Sequence, residues 1–153
     1  MGDNGVVQNQ VTDDTVKLLR ECDAGIKMGI ESLKQVTDYV KDCKLKEMLK
    51  KSSDKHESFQ DEATTMLHEY GDEGKNPNPM AKGMSWLKTS MKMTMDSSDE
   101  TVADLMVDGC NMGTKSLHKY LNQYSHATER AKNLVKAVLK EEEGLAEGLR
   151  AYL

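Results

Sequence analysis

Gly25-Ile-Lys-Met28-Gly29-Ile-Glu-Ser32-Leu33 returns 84 positions later as Gly109-Cys-Asn-Met112-Gly113-Thr-Lys-Ser116-Leu117, with five of nine positions identical. The echo extends into the neighbouring segment. There an offset of 86 superposes Leu49 on Val135, Ser52 on Val138, His56 on Glu142, Phe59 on Leu145 and Ala63 on Leu149. A two-residue difference in the short connecting loops accounts for the change of offset. The chain thus reads as one helical hairpin written twice.

Glycine in a helix interior costs roughly 0.5–1 kcal/mol relative to alanine, so four of them on two helices require compensation. Two Gly-x-x-x-Gly faces allow helix backbones to cross closely. Gly25, Gly29, Gly109 and Gly113 are therefore read as a packing device that brings the first and third helices together near a pseudo-twofold axis. Membrane helix dimers use the same spacing, but these segments carry too many charges for that setting.

Working outward, residues 1–11 are polar and rich in Gly and Asn, and are expected to form a flexible tail ahead of a single domain over 12–153. Thr12 or Asp13 offers an N-cap. Val16, Leu19, Asp23, Ile26, Ile30, Leu33, Thr37 and Val40 then follow in alternating steps of three and four, predicting a long amphipathic helix. The stripe changes phase near Cys43. Leu49, Ser52, His56, Phe59, Ala63, Met66 and Tyr70 trace a second helix, which Gly71 stops.

Residues 72–79 hold both prolines and form the clearest break. Beyond it, Met80, Met84, Leu87 and Met91 predict a short connecting helix. Ser97 or Ser98 caps a third helix with the stripe Val102, Met106, Cys110, Gly113, Leu117, Tyr120 and Tyr124. A fourth helix carries Ala131, Val135, Val138, Glu142, Leu145, Leu149 and Tyr152. Two tight loops and one long crossover are the ferritin-like connectivity of a four-helix bundle.

Composition agrees with an all-α domain. Only 5% of the 153 residues are aromatic and two are proline, against 37% hydrophobic and 31% charged. A net charge of −5 argues against nucleic acid as a partner, since phosphate binding needs clustered positive charge. Lys44, Lys46, Lys50, Lys51 and Lys55 alternate with acidic and polar residues and read as a solvated helix face. No segment has the apolar length of a transmembrane helix, and the first ten residues lack a signal peptide's basic start and apolar run. Cys22, Cys43 and Cys110 form no Cys-x-x-Cys pair, which suits reduced thiols and a cytoplasmic location.

Several short motifs resemble a bacterial ferritin-like four-helix-bundle family of unknown function. They are Cys22-x-x-Gly25-x-x-x-Gly29, Val40-Lys-Asp42, Leu45-Lys-x-x-Leu49, Trp86-Leu-Lys88 and Asp108-Gly109-x-x-x-Gly113-x-x-Ser116-Leu117-x-x-Tyr120. The resemblance spans about residues 12–153 and implies a fold with little chemistry. Iron-handling ferritin-like proteins use a carboxylate from each of two helices and Glu-x-x-His from each of the others. This chain has no Glu-x-x-His, and its fourth helix has no histidine. Ferroxidase chemistry is not carried over.

Asp23, His56 and Glu142 fall on predicted core positions, where charged groups are seldom buried without partners. His56 and Glu142 are equivalents in the repeat, and are expected to meet as a hydrogen-bonded ion pair where other ferritin-like proteins hold metal. With Asp23 or Glu57 they form the candidate ligand set of a competing reading, a degenerate Fe, Mn or Zn carboxylate-histidine bundle with a redox or storage role. Cys110, on a core stripe without a histidine at telling spacing, reads as packing. Seven of eleven methionines fall between Met80 and Met112. With Trp86 and Leu87, Met84 and Met91 suggest a crossover that packs against its own bundle or else presents an interaction surface for a second copy, another protein, a membrane surface or a small molecule. The leading reading is a non-enzymatic bundle without cofactor, acting through protein association, as a homodimer.

Overall fold

A computed structural model describes residues 2–77 and 98–153, all helical or loop, with no strand among them. Four helices make the bundle: α1 (Gly2–Thr37), α2 (Cys43–His68), α3 (Asp99–Gln123) and α4 (Glu129–Leu149), the last continued by a 3₁₀ turn over Arg150–Tyr152. No helix among the described residues is long and apolar enough to cross a membrane. The expected connecting helix, with Met84, Trp86, Leu87 and Met91, lies outside the described residues.

Three helices begin where side chains satisfy orphan backbone donors. Asp42, Ser98 and Thr128 stand at the N-caps of α2, α3 and α4, and accept from the amides of Leu45, Thr101 and Ala131. At the end of α2 the amides of Gly71 and Asp72 return to the carbonyls of His68 and Leu67, both at 3.0 Å. Gly71 turns the chain at φ +69°, a conformation that L side chains resist.

The first helix departs from expectation. It begins at Gly2, so the segment 1–11 predicted as a flexible tail is helical from its second residue, and neither Thr12 nor Asp13 is its N-cap. Residues 4–10 are exposed. The physical reason is cooperativity: once packing holds the buried part of α1, each added residue gains a hydrogen bond without a new nucleation cost, and no proline interrupts the run.

The two hairpins α1–α2 and α3–α4 are the tightest pairings, and α2 against α4 joins them most closely; α1 and α3 approach one another only sparsely. Both short loops are clasped by the opposite hairpin. The amides of Lys41 and Asp42 donate to the two oxygens of Asp99 at 2.8 and 2.9 Å. In the other direction, Asp14 Oδ2 accepts from the His126 amide and Thr15 Oγ1 from the Thr128 amide, each at 2.9 Å.

The core divides in two. One apolar half gathers Leu18, Leu19, Cys22, Ile26 and Ile30 of α1 with Met66, Leu67, Leu117, Leu134 and Val138. The other gathers Leu33, Val36 and Val40 with Leu45, Leu49, Val102, Met106, Cys110, Leu145 and Leu149. Burying each leucine contributes roughly 1.5–3 kcal/mol, so either half is a substantial source of stability. Along α2 the break falls at Ser52, Ser53 and His56, all buried. Along α4 it falls at Glu142, and along α1 and α3 at the level of Gly29 and Gly113. One polar layer separates two oily halves.

Candidate functional site

In that layer His56, only 1% exposed, points from α2 toward α4, and its Nε2 lies 2.8 Å from Glu142 Oε1. Its Nδ1 lies 2.8 Å from the Ser52 carbonyl one turn earlier. A carbonyl oxygen can only accept, so Nδ1 carries a proton and donates. Burial pushes the imidazole pKa down, but the hydrogen bond and charge of Glu142, the Ser52 carbonyl and the charge of Glu141 together outweigh it and hold the pKa above its ordinary 6.5. The charged ring then donates from both nitrogens, and neither N–H is left for another partner.

The glycines belong to this layer, in a way the spacing did not reveal. A Cβ on Gly29 would lie 3.1 Å from Cδ2 and 3.3 Å from Nε2 of His56, and a Cβ on Gly113 would lie 3.7 Å from Glu142 Oε2. On Gly25 and Gly109 a Cβ would meet nothing within 4 Å. The two glycine faces therefore do not bring α1 and α3 backbone to backbone. Side chains from α2 and α4 occupy the space beside Gly29 and Gly113, and among the described residues the space beside Gly25 and Gly109 stays open.

That open space is a cleft of about 350 Å³ between α1 and α3. Gly25, Met28, Gly29, Ser32 and Leu33 line one wall, and Gly109, Met112, Gly113, Ser116 and Leu117 the other. These are the five identical positions of each copy of the echo. His56 and Glu142 line the cleft as well, with Cys110 beside the carboxylate. Burial, then the charge and hydrogen bonding of Glu142, push the Cys110 thiol far up, so it is a poor nucleophile. Apart from these groups the lining is mainly apolar.

A second polar group marks the rim. Lys75 pairs with Glu21, and Tyr120 is raised in pKa by burial and then by the charge and hydrogen bonding of Glu21. The loop over residues 72–77 carries Lys75 there. It is strapped to α1 by Arg20, whose Nη1 meets both oxygens of Asp72 at 3.0 Å, and by Asp23 Oδ2, which accepts from the Lys75 amide at 3.0 Å. Gly74 makes the strap feasible: its φ is +92°, and a Cβ there would fall 2.5 Å from Asp23 Oδ2.

Asp23 is consequently an anchor for the strap and does not join His56 and Glu142. Its Oδ2 is also paired with Lys27 Nζ at 2.8 Å, while its buried Oδ1 has no hydrogen-bond partner among the described residues. Glu57 faces outward to Lys34 at 3.0 Å. Among the described residues no three His, Cys, Asp or Glu side chains converge as a metal site. His68, His118 and His126 are exposed.

Cys110, Glu21, Lys75 and Tyr120 were not singled out by the sequence as site residues. The identity of Met28 with Met112 and of Ser32 with Ser116 was the usable signal, because packing alone would have needed only the glycines. No known protein family, curated protein or solved structure matches this chain.

Proposed function

We propose that this chain is a non-enzymatic four-helix bundle that binds a small, largely apolar molecule in the cleft between α1 and α3. The observation that carries the reading is that all five repeated positions in both copies of the echo line the cleft. Helix-interior glycines at positions 25 and 109 lower helix stability and among the described residues fill no contact, so an open wall is what they provide. A mainly apolar pocket of a few hundred Å³ with a few convergent polar groups is the usual form of a small-molecule site.

The chemistry at the floor supports binding over catalysis. Both His56 N–H groups are engaged, so the ring offers no free base, and the Cys110 thiol is held protonated. The same reading takes the bundle as ferritin-like and internally duplicated. Supporting the duplication, Lys41 donates to Asp99 and His126 donates to Asp14, and the partners in each role stand 85 positions apart.

Titration of the ¹⁵N-labelled protein with toluene tests the reading. Saturable shifts are expected at the amides of Gly29, Gly113, Met28 and Met112, and are expected to vanish in Gly109→Leu, whose side chain would fill the cleft. Failure to saturate, or an unchanged response in Gly109→Leu, would end it.

A further inference from the structure

The floor of the cleft is chemically one-sided. The imidazolium of His56 has both N–H groups committed, to the Ser52 carbonyl and to Glu142 Oε1. A carboxylate has about four lone-pair sites. Among the described residues the His56 ring is the one nitrogen that donates to Glu142, with the weak S–H donor of Cys110 beside it. Unused acceptor capacity therefore faces the cleft at Glu142, while the strong donors of the lining, Lys75 and Tyr120, are engaged by Glu21 and leave the hydroxyls of Ser32 and Ser116 as the remaining polar groups of its walls.

Charge narrows the choice further. His56 and Glu142 balance each other, so an incoming ammonium would leave a net positive charge in a mainly apolar space and an incoming carboxylate a net negative one. Glu21 and Glu141 do not upset that balance, since each is paired with a lysine: Glu21 with Lys75, which lines the cleft beside it, and Glu141 with Lys55 at 3.1 Å. A neutral hydroxyl adds a hydrogen bond to a charged acceptor without adding net charge.

Resting on the binding reading above, we infer that the cleft takes an aliphatic alcohol, its hydroxyl donating to the Glu142 carboxylate and its chain lying between the Met28 and Met112 walls. A cavity of about 350 Å³, at roughly 30 Å³ for each water-sized group, holds about ten non-hydrogen atoms. An eight-carbon alcohol meets that limit.

The test compares 1-octanol, octylamine and octanoate on the ¹⁵N-labelled protein, with toluene as the head-free reference, following the amides of Gly29 and Gly113. Octanol is expected to bind at least about tenfold more tightly than either charged analogue, the margin of one hydrogen bond to a charged group. In Glu142→Met the octanol affinity is expected to fall about tenfold while toluene still saturates, which shows the cleft intact. Equal or tighter binding of octylamine or octanoate overturns the alcohol assignment and leaves the cleft as a binding site. An unchanged octanol affinity in Glu142→Met, with toluene still bound, has the same consequence. Saturation by none of the four overturns the binding reading as well.

Discussion

Gly29 and His56 share one space: the Cβ that Gly29 lacks would press on the imidazole edge at 3.1 Å, while the ring is held at both nitrogens and has little freedom to yield. The four helix glycines should therefore respond differently to alanine. At Gly25 and Gly109 the new methyl meets nothing, and at Gly113 it makes ordinary contact, so helix propensity alone should raise stability by about 0.5–1 kcal/mol at each. At Gly29 crowding of about 1–3 kcal/mol opposes that gain and should leave a net loss of about 1 kcal/mol. Urea denaturation of the four variants checks this. A gain at Gly29 equal to that at Gly25 would show that the ring moves freely.

The His56–Glu142 pair should behave as a coupled unit. Removing one partner leaves the other buried without its counter-charge, so Glu142→Leu or His56→Leu alone should cost about 3 kcal/mol. Replacing both by leucine joins the two apolar halves of the core and should recover most of the loss, since a desolvated pair is often no more stabilising than well-packed apolar residues. A double-mutant cycle in urea measures the coupling. Additive losses would mean that the 2.8 Å contact contributes little to stability.

Much of the architecture was legible because it rests on periodicity and local chemistry. The three-four stripes located the buried faces, Ser98 and Gly71 marked a helix start and stop, and the 86-residue offset singled out His56 and Glu142, whose side chains lie 2.8 Å apart. The cleft was not legible. Gly-x-x-x-Gly spacing says that two helix faces are small, but whether a neighbouring backbone fills the vacated space depends on what α2 and α4 insert between them. Here a histidine and a glutamate occupy the Gly29 and Gly113 level, and among the described residues nothing occupies the level of Gly25 and Gly109. Asp23 shared its stripe with core residues, yet besides Lys27 on its own helix its partner is an amide of the strap over residues 72–77, whose course no periodicity encodes. The extension of α1 to Gly2 arose from cooperativity with the packed region, which a local count of Gly and Asn does not capture.

The three cysteines should separate cleanly by reactivity. Cys43 is exposed, whereas Cys22 and Cys110 are buried. Burial, with a smaller contribution from the Asp23 charge, pushes the Cys22 thiol up to about 12, and burial with Glu142 pushes Cys110 up as well. Thiolate is the reactive form, so a disulfide reagent such as DTNB should modify one thiol rapidly in the native protein and all three after unfolding. Rapid modification of a second thiol at neutral pH would mean that the cleft opens readily to solvent at Cys110 or Cys22, both of which line it.

The same polar layer should give stability a pH dependence with a definite sign. His56 binds its proton more tightly in the folded protein than at its ordinary pKa of 6.5: burial lowers its pKa, but the hydrogen bond and charge of Glu142, the Ser52 carbonyl and the charge of Glu141 together outweigh it. A group whose folded pKa is raised contributes stability that is complete below the unfolded value and is lost as pH rises through the folded value. Compared with His56→Gln, which carries no titrating proton, the wild-type protein should therefore hold its largest relative stability near or below about pH 6 and surrender the advantage on the alkaline side. Urea denaturation of both proteins at closely spaced pH values between about 5.5 and 9 measures the difference. Were the relative stability of wild type instead to grow with pH across that range, burial would outweigh the carboxylate, and the ring would be neutral in the native layer.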